Sequence, residues 1–236
     1  MKHVMMALAV MAGTAQAQDK EKAKEEGATV TGQVKLKGEA GRVKNVPLND
    51  ECKALHGDKP LKSEALVVDG EKNVKWAVVY ITSGLQEGKT YEAPKEPVVV
   101  DQDGCCYKPH VLGIMVGQPL KVKNSDPLAH NVHGLPFINK EFNFMQLKGQ
   151  ENIVTFRKPE SPIKVKCDIH NWMWVWAHAF DHPYFAVTDD AGKFTIRDLP
   201  PGKYTLEVWH ETCTKVIQEI EVKAKESKVV NFELEK

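Results

Sequence analysis

Cys167-Asp168-Ile169-His170-Asn171-Trp172-Met173 is the stretch that decides the fold, because a thiol, an imidazole and a thioether recur in it at every third residue. A soft thiolate, a borderline imidazole and a weak thioether, joined by a second imidazole, are the donors that suit copper held for electron transfer. Cys at the end of a strand, His three residues on and Met three further put all three around one tight turn at the pole of a barrel. The second imidazole must come from a neighbouring strand that ends at the same pole. The upstream segment Asn124-Ser125-Asp126-Pro127-Leu128-Ala129-His130-Asn131-Val132-His133 can supply it. His130 is the better choice, since it sits where a strand resumes after the Pro127 turn, whereas His133 lies further along that strand, away from the pole. Asn131 is placed to tie the two ligand segments together by hydrogen bonds, the role outer groups play around a metal.

Around this stretch the sequence reads as short strands: 97–101, 111–116, 120–123, 131–133, 153–156, 163–167 and 174–180. No amphipathic helix of ordinary length appears among them, so the class is all-β. Trp172, Trp174 and Trp176 alternate with Met173 and Val175, which in an extended segment puts three indoles on one face. Packing against a neighbouring sheet is the expected use of that face. Upstream, Val30, 33–36 and 75–81 read as strands, and 39–69 reads as loop carrying Cys52 and His56. Downstream, Thr188-Asp189-Asp190-Ala191-Gly192-Lys193 and Leu199-Pro200-Pro201-Gly202 punctuate alternating strands and predict hairpins. Segments 217–222 and 228–234 add two more strands.

Lysine plus arginine number 32 and aspartate plus glutamate 32, so no charge field draws nucleic acid or an anionic membrane. Residues 1–17 combine Lys2, an apolar run from Val4 to Met11 and Ala15-Gln16-Ala17. That is the pattern of a secretory signal cleaved after Ala17, and the run is too short to span a bilayer. A periplasmic or secreted protein without membrane insertion is expected, with residues 18–27 as a charged tether. Five cysteines in an exported chain imply disulfides with one left over. Cys167 is that one, because a metal thiolate cannot also be bridged. Cys105 and Cys106 are adjacent and face opposite sides of a strand, so each needs a distant partner. One bridge is expected from Cys52 to either neighbour and another from Cys213 to the remaining one, with buried free thiols as the alternative.

Tyr107, Pro109, Val116-Gly117-Gln118, Asn124-Ser125-Asp126, His130-Asn131-Val132-His133 and the closing Cys-x-x-His-x-x-Met together resemble a cupredoxin. The ligand loop is most similar to those of amicyanin and of plastocyanin-like domains of proteins labelled methylamine-utilisation proteins. The resemblance implies a Greek-key barrel over 96–181, with copper on His130, Cys167, His170 and Met173. It departs from amicyanin at Asn171, where amicyanin has proline, so amicyanin's pH-dependent redox behaviour and partner enzyme do not carry over. Thr31-Gly32-Gln33-Val34, Ala77-Val78-Val79-Tyr80-Ile81 and the run from Thr188 to Val208 resemble the carboxypeptidase-regulatory or transthyretin-like β sandwich. That resemblance implies a sandwich split into 28–95 and 182–236 around an inserted barrel, with the disulfides stapling insert to host.

His110, His182 and His210 fall near the implied boundaries, where they could converge as a second metal site, although a His beside aromatics is more often a buried side chain with satisfied hydrogen bonds. The chain has no Gly-rich phosphate loop, no nucleophile elbow and no Cys-x-x-Cys-His haem motif. The expectation is a non-enzymatic blue-copper electron carrier serving a redox partner protein. A copper-delivery protein and an interaction module with a structural copper site are the alternatives. A single closed donor set favours the carrier.

Overall fold

A computed structural model describes residues 27–236; the expected signal at 1–17 and nearly all of the tether at 18–27 lie outside the described residues. In chain order the elements are β1 (Ala28–Leu36), α1 (Asp50–His56), β2 (Val78–Ser83), β3 (Val98–Gln102), β4 (Tyr107–Lys108), β5 (Val111–Met115), β6 (Leu120–Asn124), β7 (His130–Leu135), β8 (Phe142–Gln146), β9 (Glu151–Val154), β10 (Glu160–Lys166), β11 (Trp174–Phe180), β12 (Phe185–Val187), β13 (Lys193–Leu199), β14 (Gly202–Trp209), β15 (Val216–Val222), β16 (Ser227–Val229) and β17 (Phe232–Leu234).

These strands form two pairs of sheets. One pair sets β5-β11-β10-β7-β8 against β4-β3-β6-β9, all from the middle of the chain. Its core includes Val100, Ile114, Val122, Val132, Phe156, Ile163 and Val175, and Cys167 and Met173 belong to the same cluster. In β6 the alternation is plain: Leu120, Val122 and Asn124 point inward between Lys121 and Lys123. The second pair sets β13-β1-β16, with β17 also on β1, against β12-β2-β14-β15. Its strands therefore come from both ends of the described chain. Its core packs Val30, Val34 and Phe232 of one sheet against Val79, Leu206 and Val208 of the other. A Cβ on Gly32 would stand 1.7 Å from the Val230 carbonyl oxygen, so the break between β16 and β17 crosses β1 where only glycine fits.

Two local expectations are corrected. The turns at 188–193 and 199–202 are not hairpins: β13 pairs with β1, while β12 and β14 pair with β2. Both turns carry the chain from one sheet to the facing one, because the apolar faces of these strands meet across the core and not edge to edge. The 39–69 loop also holds a helix. Asn49 caps α1 by accepting the Cys52 N–H, Asp50 and Glu51 occupy the first turn, and Gly57 ends it with φ 56°.

The two sheet pairs meet through a small apolar cluster of Val78, Tyr80, Val111, Phe180 and Trp209, with Trp176 and Phe185 packed on it. At its edge the buried carboxylate of Glu211 accepts from His110 Nε2 at 2.5 Å, Trp174 Nε1 at 3.1 Å and Trp176 Nε1 at 2.8 Å. Burial pushes the Glu211 carboxyl up, but these donors outweigh it and hold the group below its usual range. Trp174 and Trp176 thus face the second sandwich. Trp172 does not share their face: it precedes β11, lies 5.3 Å from the His170 ring and donates to the Cys105 carbonyl.

Candidate metal centre

The ligand stretch is the connection between β10 and β11, which are antiparallel neighbours with Lys166 opposite Trp174. Cys167 N donates to Met173 O at 3.0 Å and Met173 N to His170 O at 2.9 Å, so the turn closes on itself. β7 pairs with β10 on its other side, with His133 opposite Lys166. That register brings His130, the first residue of β7, to the same end of the sheet.

Three donors converge there. His130 Nδ1 lies 3.0 Å from His170 Nδ1, and Cys167 Sγ lies 3.7 Å from His170 Nδ1. Nitrogen and sulfur donors about 2.0–2.3 Å from one ion stand about 3–4 Å apart, taking zinc as a guide for first-row metals, so these spacings fit a single shared metal. His130, Cys167 and His170 form one of the groups able to hold an ion. Their exposures are 0, 1 and 2 %, and Met173, buried to 1 %, packs in the same core.

Outer groups hold the donors in place. Asp126, four residues before His130, takes the His130 Nε2–H at 2.8 Å and leaves Nδ1 for the pole. The same carboxylate accepts the N–H of Gly104 at 2.6 Å and of Cys105 at 2.7 Å. Asn131 N donates to Cys167 Sγ at 3.3 Å, and its Oδ1 accepts Asp168 N at 3.1 Å, so this side chain bridges the two ligand segments. Tyr107 donates to the Asn131 carbonyl at 2.9 Å. His133 lies on the flank, its ring nitrogens 2.8 Å from Asp168 and 2.9 Å from Glu141.

The electrostatics follow from this packing. Burial drives the His130 pKa down, but hydrogen bonds to Asp126 and Cys167 overcome it and raise the ring to about 9. Burial likewise pushes the Cys167 thiol up, yet the hydrogen bond from His130 and the N–H groups of Asn131, His170 and Ile169 bring it below its usual value. Burial and the neighbouring His130 cation lower His170. Without metal the pole therefore favours a proton on His130 and eases ionisation of the Cys167 thiol, and an incoming ion displaces the His130 proton.

The cysteines resolve one of the open pairings and correct the other. Cys52 bonds Cys105, with a Cα separation of 5.9 Å. Cys106 and Cys213 are free, so the expected second bridge does not form. Cys106 turns its sulfur toward the Gly104 carbonyl beside β4, whereas Cys213 lies after β14 against the other sandwich core. Cys52 also belongs to the middle core, not to that of the first sandwich strands: it packs there with Leu48, and Val46 and Leu61 flank it. The bridge thus fastens the β1–β2 connection to the sheets that carry the candidate donors. His56 adds a hydrogen bond to the Gly104 carbonyl at 2.8 Å.

His110, His182 and His210 do not come together as a donor set; none of the metal-capable groups among the described residues contains them. His110 is engaged by Glu211. His182 donates to the Ile81 carbonyl and accepts the Tyr184 N–H, and His210 Nδ1 faces the Thr212 N–H and hydroxyl. Asp126 carries no functional expectation in the sequence reading, and the signal that points to it is its place four residues before His130.

Residues 178–235 match the family model of the carboxypeptidase regulatory-like domain. The match spans the end of β11 and β12–β17. Similar solved structures are cupredoxins and a copper enzyme. A copper-containing nitrite reductase from Thermus scotoductus SA-01 aligns at 22% identity and TM-score 0.35, over 42% of this chain and 26% of that one. The chain therefore spans about a quarter of that enzyme. A purple cupredoxin from Nitrosopumilus maritimus aligns at 22% identity and TM-score 0.30, over 34% of this chain and 97% of that one. A reduced variant of amicyanin aligns at 22% identity and TM-score 0.32, over 43% of this chain and 97% of the other. No curated protein matches the chain. The fold is all-β, with its strands in two pairs of sheets, and strands β12–β17 of the second pair lie in the segment that matches the regulatory-like domain model.

Proposed function

We propose that this protein is an exported blue-copper electron carrier, in which His130, Cys167, His170 and Met173 would hold the copper. The observation that carries the reading is the convergence of two imidazoles and one thiol, from two separate segments, at a single buried pole. That donor set is the one copper takes for electron transfer. Copper supplies a one-electron change; the chain's part is to hold the donors so that they move little when it happens. Asp126 fixes the His130 tautomer, and Asn131 holds Cys167 and the start of its loop. Prior fixing of the donors favours a carrier over a delivery protein, which has to release its ion.

The barrel, at 96–181, sits between sandwich segments 28–95 and 182–236, and a signal at 1–17 directs the chain to the periplasm or outside the cell. A redox protein is its partner. Membranes and nucleic acids play no part. Purified protein given Cu(II) should turn intensely blue or green, bleach on reduction and recover on oxidation. Cys167→Ser should abolish the colour with the fold retained, Met173→Leu should keep the colour and shift the potential, and His133→Ala should leave both. Protein that binds copper without colour would overturn the carrier reading.

A further inference from the structure

The Cys52–Cys105 bridge stands against the metal pole itself. One donor atom each of Cys52, Cys105 and His170 lies within 4.8 Å of the others, and the same limit encloses Cys105, Asp126 and His130. Both sulfurs are buried, each cysteine being 0 % exposed. Oxidised, the pair offers no thiolate and acts as a latch. It holds α1 on the Gly104–Cys105 turn, the turn whose N–H groups bind Asp126 and whose Cys105 carbonyl accepts from Trp172. Reduced, it places two thiols beside an imidazole, and two thiolates with one imidazole form a soft donor set suited to Cu(I).

We propose that Cys52, Cys105 and His170 form a second, soft-metal site at this pole, open only when the disulfide is reduced. The proposal rests on the copper reading above in one respect, that copper is the metal reaching the pole. A dithiol reductant breaks the Cys52–Cys105 bond and forms its own, passing two electrons and two protons to the pair. Cu(I) then displaces the two thiol protons to solvent, with no change in its oxidation state. Access is through α1, a helix of only seven residues that pairs with no strand, whose local opening brings the bridge to the reductant. His170 belongs to both donor sets. Reduction therefore gives the ion a sulfur-rich donor set that shares His170 with the Cys167–His130 set.

The test uses the full chain with Cys106→Ser, Cys167→Ser and Cys213→Ser, which leaves Cys52 and Cys105 as its only cysteines. Cu(I) affinity is measured anaerobically against a chromophoric chelator before and after reduction by a dithiol. The reduced form should bind about tenfold or more tightly than the disulfide form, and His170→Ala in the same background should remove most of the gain. Equal affinity in the two forms, or a gain indifferent to His170, overturns the proposal. If the triple variant does not fold, the wild-type chain serves: Cu(I) uptake per chain should rise on reduction, and no rise overturns the proposal equally. Colour with Cu(II), read on oxidised wild-type protein, reports the Cys167 site alone, so failure of the carrier reading and failure of this proposal are separate results.

Discussion

Replacing Asp126 tests how the pole is held together. Its carboxylate takes three donors, two of them fully buried: Oδ1 accepts Gly104 N at 2.6 Å, and Oδ2 accepts both Cys105 N at 2.7 Å and His130 Nε2 at 2.8 Å. An amide has a single acceptor oxygen. In Asp126→Asn that oxygen either faces Gly104, setting an NH2 against two N–H groups, or faces Cys105 and His130, setting the NH2 against Gly104. Each arrangement opposes donor to donor in a site exposed to 3 %, where an unsatisfied polar group costs about 1–3 kcal/mol. In Asp126→Ala all three donors lose their acceptor, and breaking a buried ion pair in this way costs about 3–5 kcal/mol. His130 also loses the group that fixes its tautomer, and loss of such a partner typically weakens metal affinity about 10–100-fold. Urea denaturation of the metal-free proteins and chelator competition for copper measure the two effects. The expected order in both is wild type, Asp126→Asn, Asp126→Ala. If Asp126→Ala binds copper within about twofold of wild type, the carboxylate does not orient His130 and the reasoning fails.

Three further outcomes follow from the same interactions. Glu211→Ala strips the acceptor from His110, Trp174 and Trp176 at the joint of the two sandwiches and should cost about 1–3 kcal/mol for each donor left unsatisfied, splitting one calorimetric transition into two. Burial lowers His178 to about 3 and His210 to about 4. Both rings therefore stay neutral in the fold while the unfolded chain takes up protons below about pH 6.5, so stability is complete above that pH and falls as the pH drops toward 4, by about 1.4 kcal/mol per unit and group. His210→Gln should flatten the urea midpoint between pH 7 and 4.5. The Cys52–Cys105 bridge spans a sequence separation of 53, for which loop-closure entropy predicts about 4 kcal/mol, so the Cys52→Ala/Cys105→Ala protein should unfold at clearly lower urea.

The candidate donor cluster was legible as a set of nearby side chains because much of its chemistry is local. Cys167, His170 and Met173 share one turn, and His130-Asn131-Val132-His133 lies on one strand, so spacing alone brings the donor types close. The all-β class was legible for the same reason, since alternation along a strand such as β6 needs no knowledge of its neighbours. Partner choice was not. Leu199-Pro200-Pro201-Gly202 has the composition of a hairpin turn, but whether the next strand returns beside the first or crosses to the facing sheet depends on register with β1 and β2, more than a hundred residues upstream. Cys52 was ambiguous because Cys105 and Cys106 are adjacent in sequence, and what separates them as partners is the side each faces. The helix around Cys52 carried its signals in Asn49 and Gly57, but seven residues are too few for periodicity to separate a helix from a loop.

The ties around the ligand loop share one design. Each segment that bears a donor is fixed to a segment remote from it in sequence. His130 is held through Asp126 to the Gly104–Cys105 turn, and that turn is bonded to α1 from the β1–β2 connection. Trp172, inside the ligand loop, donates to the same turn. Directly after Met173, Trp174 and Trp176 are gripped by Glu211, two residues past β14. The pole is therefore tied from two directions, one through α1 in the β1–β2 connection and one through Glu211 beyond β14. A donor set held only by its own turn can adjust when a metal changes charge; one tied on both flanks to separate elements resists adjustment, and small movement of the ligands is what a rapid electron carrier needs. On this argument Glu211→Ala, which touches no proposed ligand, should broaden the optical band of the copper-loaded protein as well as loosen the joint. An unchanged band would place the rigidity of the pole in the barrel alone.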